Sequence, residues 1–205
     1  MNYLAHLLLA ENTPESRIGN LLGDFVKGRI DPKISPYSQD IIKGIKTHLK
    51  VDQFTDNHEI FKRSKQRIYH SQGRFSGVLI DVFYDHFLAN NWQLFSSEKL
   101  EIFADNTYTI LRKNYYQLPE KLQLILPRII LENWLVSYRK IEGIKRTCQR
   151  LAQRIKRPNN CAHRRADLFE IAHYDLQENY QELESDFLLF FPKLVKYVNT
   201  NRHTF

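Results

Sequence analysis

Histidine and aspartate recur along this chain at spacings that hydrophobic packing does not require. His48, Asp52 and Asp56 follow one another at four-residue intervals, which on a continuing helix sets all three along one face. Asp81 and Asp85 repeat the interval in a stretch otherwise rich in Val, Phe and Leu, and His86 follows Asp85 about 100° further round. His6 interrupts an apolar N-terminal segment, and Asp24 sits between Gly23 and Phe25. Burying several carboxylates together is costly unless a cation neutralises them. Carboxylate and imidazole ligands suit a divalent ion such as Mn2+, Fe2+, Zn2+ or Mg2+. Such an ion can acidify a water and hold a phosphoryl oxygen, the chemistry of phosphodiester hydrolysis. Plainer roles stand beside this one. Asp56 suits the cap of a following helix, Asp81 suits orienting a ligand from behind it, and His58 and His70 suit surface or capping positions. His163, His173 and His203 fall in the basic C-terminal third, apart from the cluster.

The elements that must carry these residues read as helices. Leu4, Leu7 and Leu8 share one side of segment 1–11, and Thr13-Pro14-Glu15 is a cap and first-turn proline for a second helix toward Asp24 and Phe25. Asp31-Pro32 through Pro36 is a loop signal. Ile41, Ile42, Ile45, Leu49 and Asp52 form the next helical face, with a break near Thr55-Asp56-Asn57. Segments 58–71 and 75–92 follow, the second with Val78, Val82, Phe83 and Phe87 as expected core positions. Helices are predicted near 97–115, 120–133 and 134–156, then a loop at Pro158-Asn159-Asn160 and a long helix over 164–190, with Pro192 kinking or ending it. No strand pattern competes. The expectation is an all-α, single compact multi-helix domain.

Composition agrees. The 205 residues suffice for one substantial core, and 7 Gly and 7 Pro against 13 Phe and 11 Tyr favour long packed elements. No apolar run approaches the roughly 20 residues that span a bilayer, and the N-terminus lacks the basic leader of a signal peptide. Cys148 and Cys161 have no metal-ligand spacing and read as reduced thiols of a cytoplasmic protein. Net charge is +7, and Lys145, Arg146, Arg150, Arg154, Lys156, Arg157, Arg164 and Arg165 concentrate it, as a solvated helix face or a surface for an acidic partner.

Several longer blocks carry a resemblance. Met1-Asn2-Tyr3-Leu4-Ala5-His6-Leu7, the run Gly19-Asn20-Leu21-Leu22-Gly23-Asp24-Phe25-Val26-Lys27-Gly28, and Asp85-His86-Phe87-Leu88 with Trp92 are three of them. Val51-Asp52-Gln53-Phe54-Thr55-Asp56, Trp134-Leu135-Val136-Ser137-Tyr138-Arg139 and Tyr174-Asp175-Leu176 are the others. In order, over almost the whole chain, they resemble the bacterial acyl carrier protein phosphodiesterase family, a divergent relative of the helical, metal-binding HD phosphohydrolases. The resemblance implies an HD-domain-like fold and hydrolysis of holo acyl carrier protein to apo carrier and 4'-phosphopantetheine, with Mn2+ as the ion and Mg2+ or Fe2+ as alternatives. Two departures stand out. Asp85-His86 reverses the usual His-Asp order, and Leu49-Lys50 follows His48 where relatives often place an Arg, so that Lys50 is the substitute phosphate contact.

On this reading the metal shell is His6, Asp24, Asp85 and His86, with His48 and Asp52 next in line. Asp24, His48 and Asp52 are the catalytic candidates. Arg139 is expected near the phosphate, and Arg154 and Arg157 on the acidic carrier, where a planar guanidinium bonds two oxygens at once. Two rivals remain: an HD-type phosphohydrolase of a nucleotide or other small phosphate ester, and a non-catalytic basic helical module for nucleic acid. The second explains the charge but not the His and Asp spacing.

Overall fold

Capping residues and apolar spacing drive the chain into helices. The computed structural model describes residues 1–26, 35–155 and 163–202, and its regular structure is helical, with no strand among the described residues. The all-α expectation holds. In α1 (Tyr3–Leu9) nearly every side chain is buried. Thr13 opens α2 (Pro14–Leu22) by accepting from the Ser16 N–H, with Pro14 in the first turn. Ser38 likewise opens α3 (Gln39–Asn57) by accepting from Ile41. Asp56 is exposed inside α3 and caps nothing. His58 instead opens α4 (Glu59–Arg67), its Nδ1 accepting from the Ile60 N–H.

A short α5 (Tyr69–Gln72) leads to α6 (Ser76–Asn90), whose Leu79, Ile80, Phe83, Tyr84 and Phe87 are fully buried. Val78, expected in the core, is 46% exposed. α7 (Leu100–Lys113) and α8 (Glu120–Leu131) follow. The stretch expected as one helix over 134–156 is two, α9 (Trp134–Ser137) and α10 (Ile141–Ile155). The carbonyl of Tyr138 is taken by His86 Nδ1 at 2.7 Å, which removes it from a helical ladder. The C-terminal helix also divides, but not at Pro192: α11 (His163–Glu178) gives way to α12 (Tyr180–Asn201) at Asn179. The Asn179 amide bonds the Asp175 carbonyl at 3.0 Å, whereas Pro192 deletes a single N–H on a half-exposed face beside Leu188, where water can serve the freed carbonyl. No helix among the described residues is long and apolar enough to cross a membrane.

Two contacts position the site. Where α2 crosses α3, a Cβ added to Gly19 would lie 2.2 Å from the Ile41 carbonyl oxygen and 2.8 Å from the Gly44 Cα. The helix backbones touch there, which only glycine permits. Behind α6 an aromatic cluster fills the core, Tyr84 meeting Phe61 and Phe187 edge-on at 5.8 and 5.4 Å. Cys148 is buried in α10 as a free thiol, its pKa pushed up by burial to about 12.

Asp186 fastens α12 to α4. Its carboxylate is 2% exposed and accepts from Arg63 Nε and Arg67 Nε, each at 3.0 Å, and from Ser64 Oγ at 2.9 Å. Burial opposes its charge, yet these bonds hold its pKa below the ordinary value. A carboxylate with a depressed folded pKa stabilises fully above its unfolded value, about 3.9, and loses that contribution as pH falls through the folded one. Asp186→Ala is therefore expected to cost about 3 kcal/mol at pH 7 by denaturant titration, with the difference from wild type narrowing only below about pH 4. A difference unchanged by acid would exclude the ion-pair account.

Candidate metal centre

His6 on α1 and His48 on α3 stack face to face, ring centroids 3.7 Å apart, and are almost wholly buried. Asp52, one turn after His48, spans both rings: Oδ1 is 3.1 Å from His6 Nε2 and Oδ2 is 3.0 Å from His48 Nε2. One ligand atom from each of the three lies within 4.8 Å of the others. Asp24, just past α2, brings Oδ1 to 3.9 Å from His48 Nε2, and Asp24 and Asp52 are 41% and 37% exposed. Imidazoles make the floor and carboxylates the mouth.

The glycine crossing carries His48 to α2, where its Nδ1 lies 2.7 Å from the Asn20 carbonyl. A carbonyl only accepts, so Nδ1 holds the proton and Nε2 is left for the centre, the arrangement typical of metal-ligating histidines. Gly23 makes room for the ring. A Cβ there would fall 2.2 Å from it. His6 Nε2 also faces the Met1 carbonyl at 3.1 Å, while its buried Nδ1 has no hydrogen-bond partner among the described residues.

The electrostatics follow from this crowding. Burial and the adjacent His48 depress His6 to about 3, the neutral form a ligand needs. Burial works against charge on His48 too, but Asp52 and Asp24 raise its pKa. For Asp52 burial is outweighed by hydrogen bonds from His48 and His6, which keep it below the usual carboxylate range. Acceptors thus converge from four directions: His6, His48, Asp52 and the Met1 carbonyl. Protons or a divalent ion can serve them, and metal binding displaces protons from such groups. The donor set fits a Mn2+-, Fe2+- or Zn2+-type ion.

Asp85 and His86 are not brought into this group. Asp85 is fully buried and receives the Leu4 and Ala5 N–H groups at 2.7 and 3.1 Å, so both oxygens anchor the start of α1. Burial, outweighing those bonds, raises its pKa to about 7. His86 gives Nδ1–H to Tyr138, and its Nε2 lies 3.1 Å from the Tyr180 hydroxyl and 3.0 Å from the Asn90 amide. Both nitrogens are occupied in fastening α6 to its neighbours. Asp81 lies 2.9 Å from the Met1 nitrogen, and burial raises it to about 6.

The expected phosphate contacts are elsewhere as well. Lys50 is exposed and donates to Gln53 at 3.3 Å, and Arg139 is tied to the Ala89 carbonyl and to Glu101. Arg157 and the Arg154 side chain lie outside the described residues. Arg150, from the same basic run, turns inward: its guanidinium lies 4.1 Å over the Trp134 ring and pairs with Glu132. Sequence reasoning missed the supports of His48, namely Asn20 and Gly23, since a backbone carbonyl and a missing side chain leave no chemical signature.

Beside the centre opens a cleft of about 220 Å3, whose lining includes Met1, Asp24, Trp134 and Arg150. A helical protein that gathers two imidazoles and a carboxylate next to such a cleft has the donor chemistry of divalent-ion proteins. The chain belongs to the acyl carrier protein phosphodiesterase family, whose model matches residues 1–194. It is similar to the acyl carrier protein phosphodiesterase of Pectobacterium atrosepticum, 31% identical over 98% of this chain and 100% of the relative. The protein of that name from Photorhabdus laumondii is 29% identical over 96% and 94%, and that from Salmonella agona 31% over 95% and 96%. No solved structure matches the chain.

Gly23→Ala tests the packing of His48 without altering a ligand. The added methyl must push the ring off Asn20 and Asp52. Affinity for Mn2+, titrated by electron paramagnetic resonance, should fall at least about tenfold, the scale seen when a ligand's outer support is lost. Wild-type affinity in a folded Gly23→Ala protein would remove His48 from the centre.

Proposed function

We propose that this protein hydrolyses the phosphodiester joining 4'-phosphopantetheine to a serine of holo acyl carrier protein. The products are apo carrier and free 4'-phosphopantetheine. What carries the reading is the convergence of His6, His48 and Asp52, in a chain of the acyl carrier protein phosphodiesterase family. In this proposal those three residues, with Asp24 at the rim, hold a divalent ion, Mn2+ first. Such an ion, when bound, polarises a phosphoryl oxygen and acidifies a water.

The residues themselves have separate tasks. Asp52 spaces the two rings, and His48 is fixed in tautomer by Asn20. Asp24, 41% exposed and 3.9 Å from His48, is suited to take a proton from the attacking water on its carboxylate. One water is consumed: the bond from phosphorus to the serine oxygen breaks, that oxygen leaves as a hydroxyl, and the phosphate keeps the pantetheine. Net charge of +7 favours encounter with an acidic carrier, and the half-buried Lys145 and exposed Arg146 continue along α10 from Arg150. A cytoplasmic setting belongs to the same proposal.

The test is direct. Wild-type protein with Mn2+ should convert holo carrier to the apo mass by mass spectrometry, and excess chelator should stop it. Asp52→Asn should lower turnover by about two orders of magnitude or more, as loss of several kcal/mol of charge stabilisation requires. Unchanged carrier mass would reject the function, and full turnover in chelator would reject the metal.

A further inference from the structure

The cleft beside the centre has a composition that the hydrolytic residues do not explain. Its volume is about 220 Å3. A slender chain fits. Its walls are apolar at Val78, Val82, Phe25 and Leu151, with the Trp134 ring beside them and Tyr3 stacked parallel to it at 6.5 Å. Asp24, Asp81 and the Met1 nitrogen line it too, and the other polar groups are fixed. The Asn2 amide donates to Tyr138 at 2.9 Å, and Thr147 Oγ1 donates to the Gly143 carbonyl at 2.9 Å while receiving Arg150 Nη1 at 3.3 Å.

Arg150 is the informative member. Its charge is already answered by Glu132 and by the Trp134 face, so it offers no uncompensated cation for a second phosphate. A guanidinium compensated in this way suits a neutral acceptor such as an amide carbonyl.

We propose that this cleft is the binding site for the pantetheine branch of the phosphodiester, with the Arg150 guanidinium that lines it donating to an amide carbonyl of the arm. This rests on the function proposed above and extends it. A phosphodiester has two branches, and the apolar walls with fixed polar groups suit the one that is thin, flexible and alternately methylene and amide. The serine branch, attached to the carrier, stays outside the mouth. Val78 is the gatekeeping position: it lines the cleft and is 46% exposed, so a larger side chain there is accommodated without repacking the core.

The experiment is calorimetric titration of 4'-phosphopantetheine and of inorganic phosphate into wild type, Val78→Trp and Arg150→Met. Arg128 remains to pair Glu132 in the last of these, and circular dichroism checks each fold. Wild type should bind 4'-phosphopantetheine at least about tenfold more tightly than phosphate, and each variant should lose most of that preference. Equal affinity of wild type for both ligands overturns the assignment, as does wild-type preference retained in both folded variants. If holo carrier is still hydrolysed in that case, only the cleft assignment falls. If wild type leaves holo carrier intact, the function falls and the cleft assignment with it.

Discussion

Contact between the backbones of α2 and α3 is the constraint on which the centre depends. Gly19 and Gly44 let the helices approach until the Gly19 Cα is in contact range of α3, and any side chain would hold them apart. That approach lets the Asn20 carbonyl reach His48 Nδ1 and fix the ring. With the ring fixed, one turn of α3 suffices to bring Asp52 onto Nε2. The second imidazole arrives by a different route. Asp85, deep in α6, takes the first N–H groups of α1 and so sets the depth at which His6 meets His48. Two acidic residues of similar spacing thus do opposite work, Asp52 facing outward to the centre and Asp85 inward to a helix end.

Much of this was legible in the sequence. All-helical architecture followed from the scarcity of breakers, the helix-period patterns and the Thr13 cap, and the four-residue step from His48 to Asp52 marked a shared face. The shell read from the resemblance also named Asp85 and His86. In the fold they turn to α1 and to Tyr138. Helix breaks were hidden as well. Those at Asn179 and after Ser137 depend on which carbonyl a side chain claims, and local propensity does not record that. Likewise Val78 has an apolar side chain at a core-like spacing, and only the neighbouring cleft leaves it exposed.

The basic run near the C-terminal third illustrates how charge counts mislead. Arg150 contributes to the net charge in the sequence but is neutralised in place by Glu132 and covered by Trp134. It is better understood as a rigid, oriented group of hydrogen-bond donors than as part of a diffuse positive field. Steering an acidic macromolecule is then left to residues such as Arg146 on the exposed side of the same helix.

Cys148 shares α10 with Thr147 and Arg150, and its burial has a chemical consequence of its own. Pantetheine ends in a thiol, and a thiol-tipped arm drawn toward a protein thiolate would be open to sulfur exchange under mild oxidation. With its pKa pushed up to about 12 by burial, Cys148 has almost no thiolate at neutral pH and no solvent path to a disulfide. The helix that walls the cleft is redox-silent at this position.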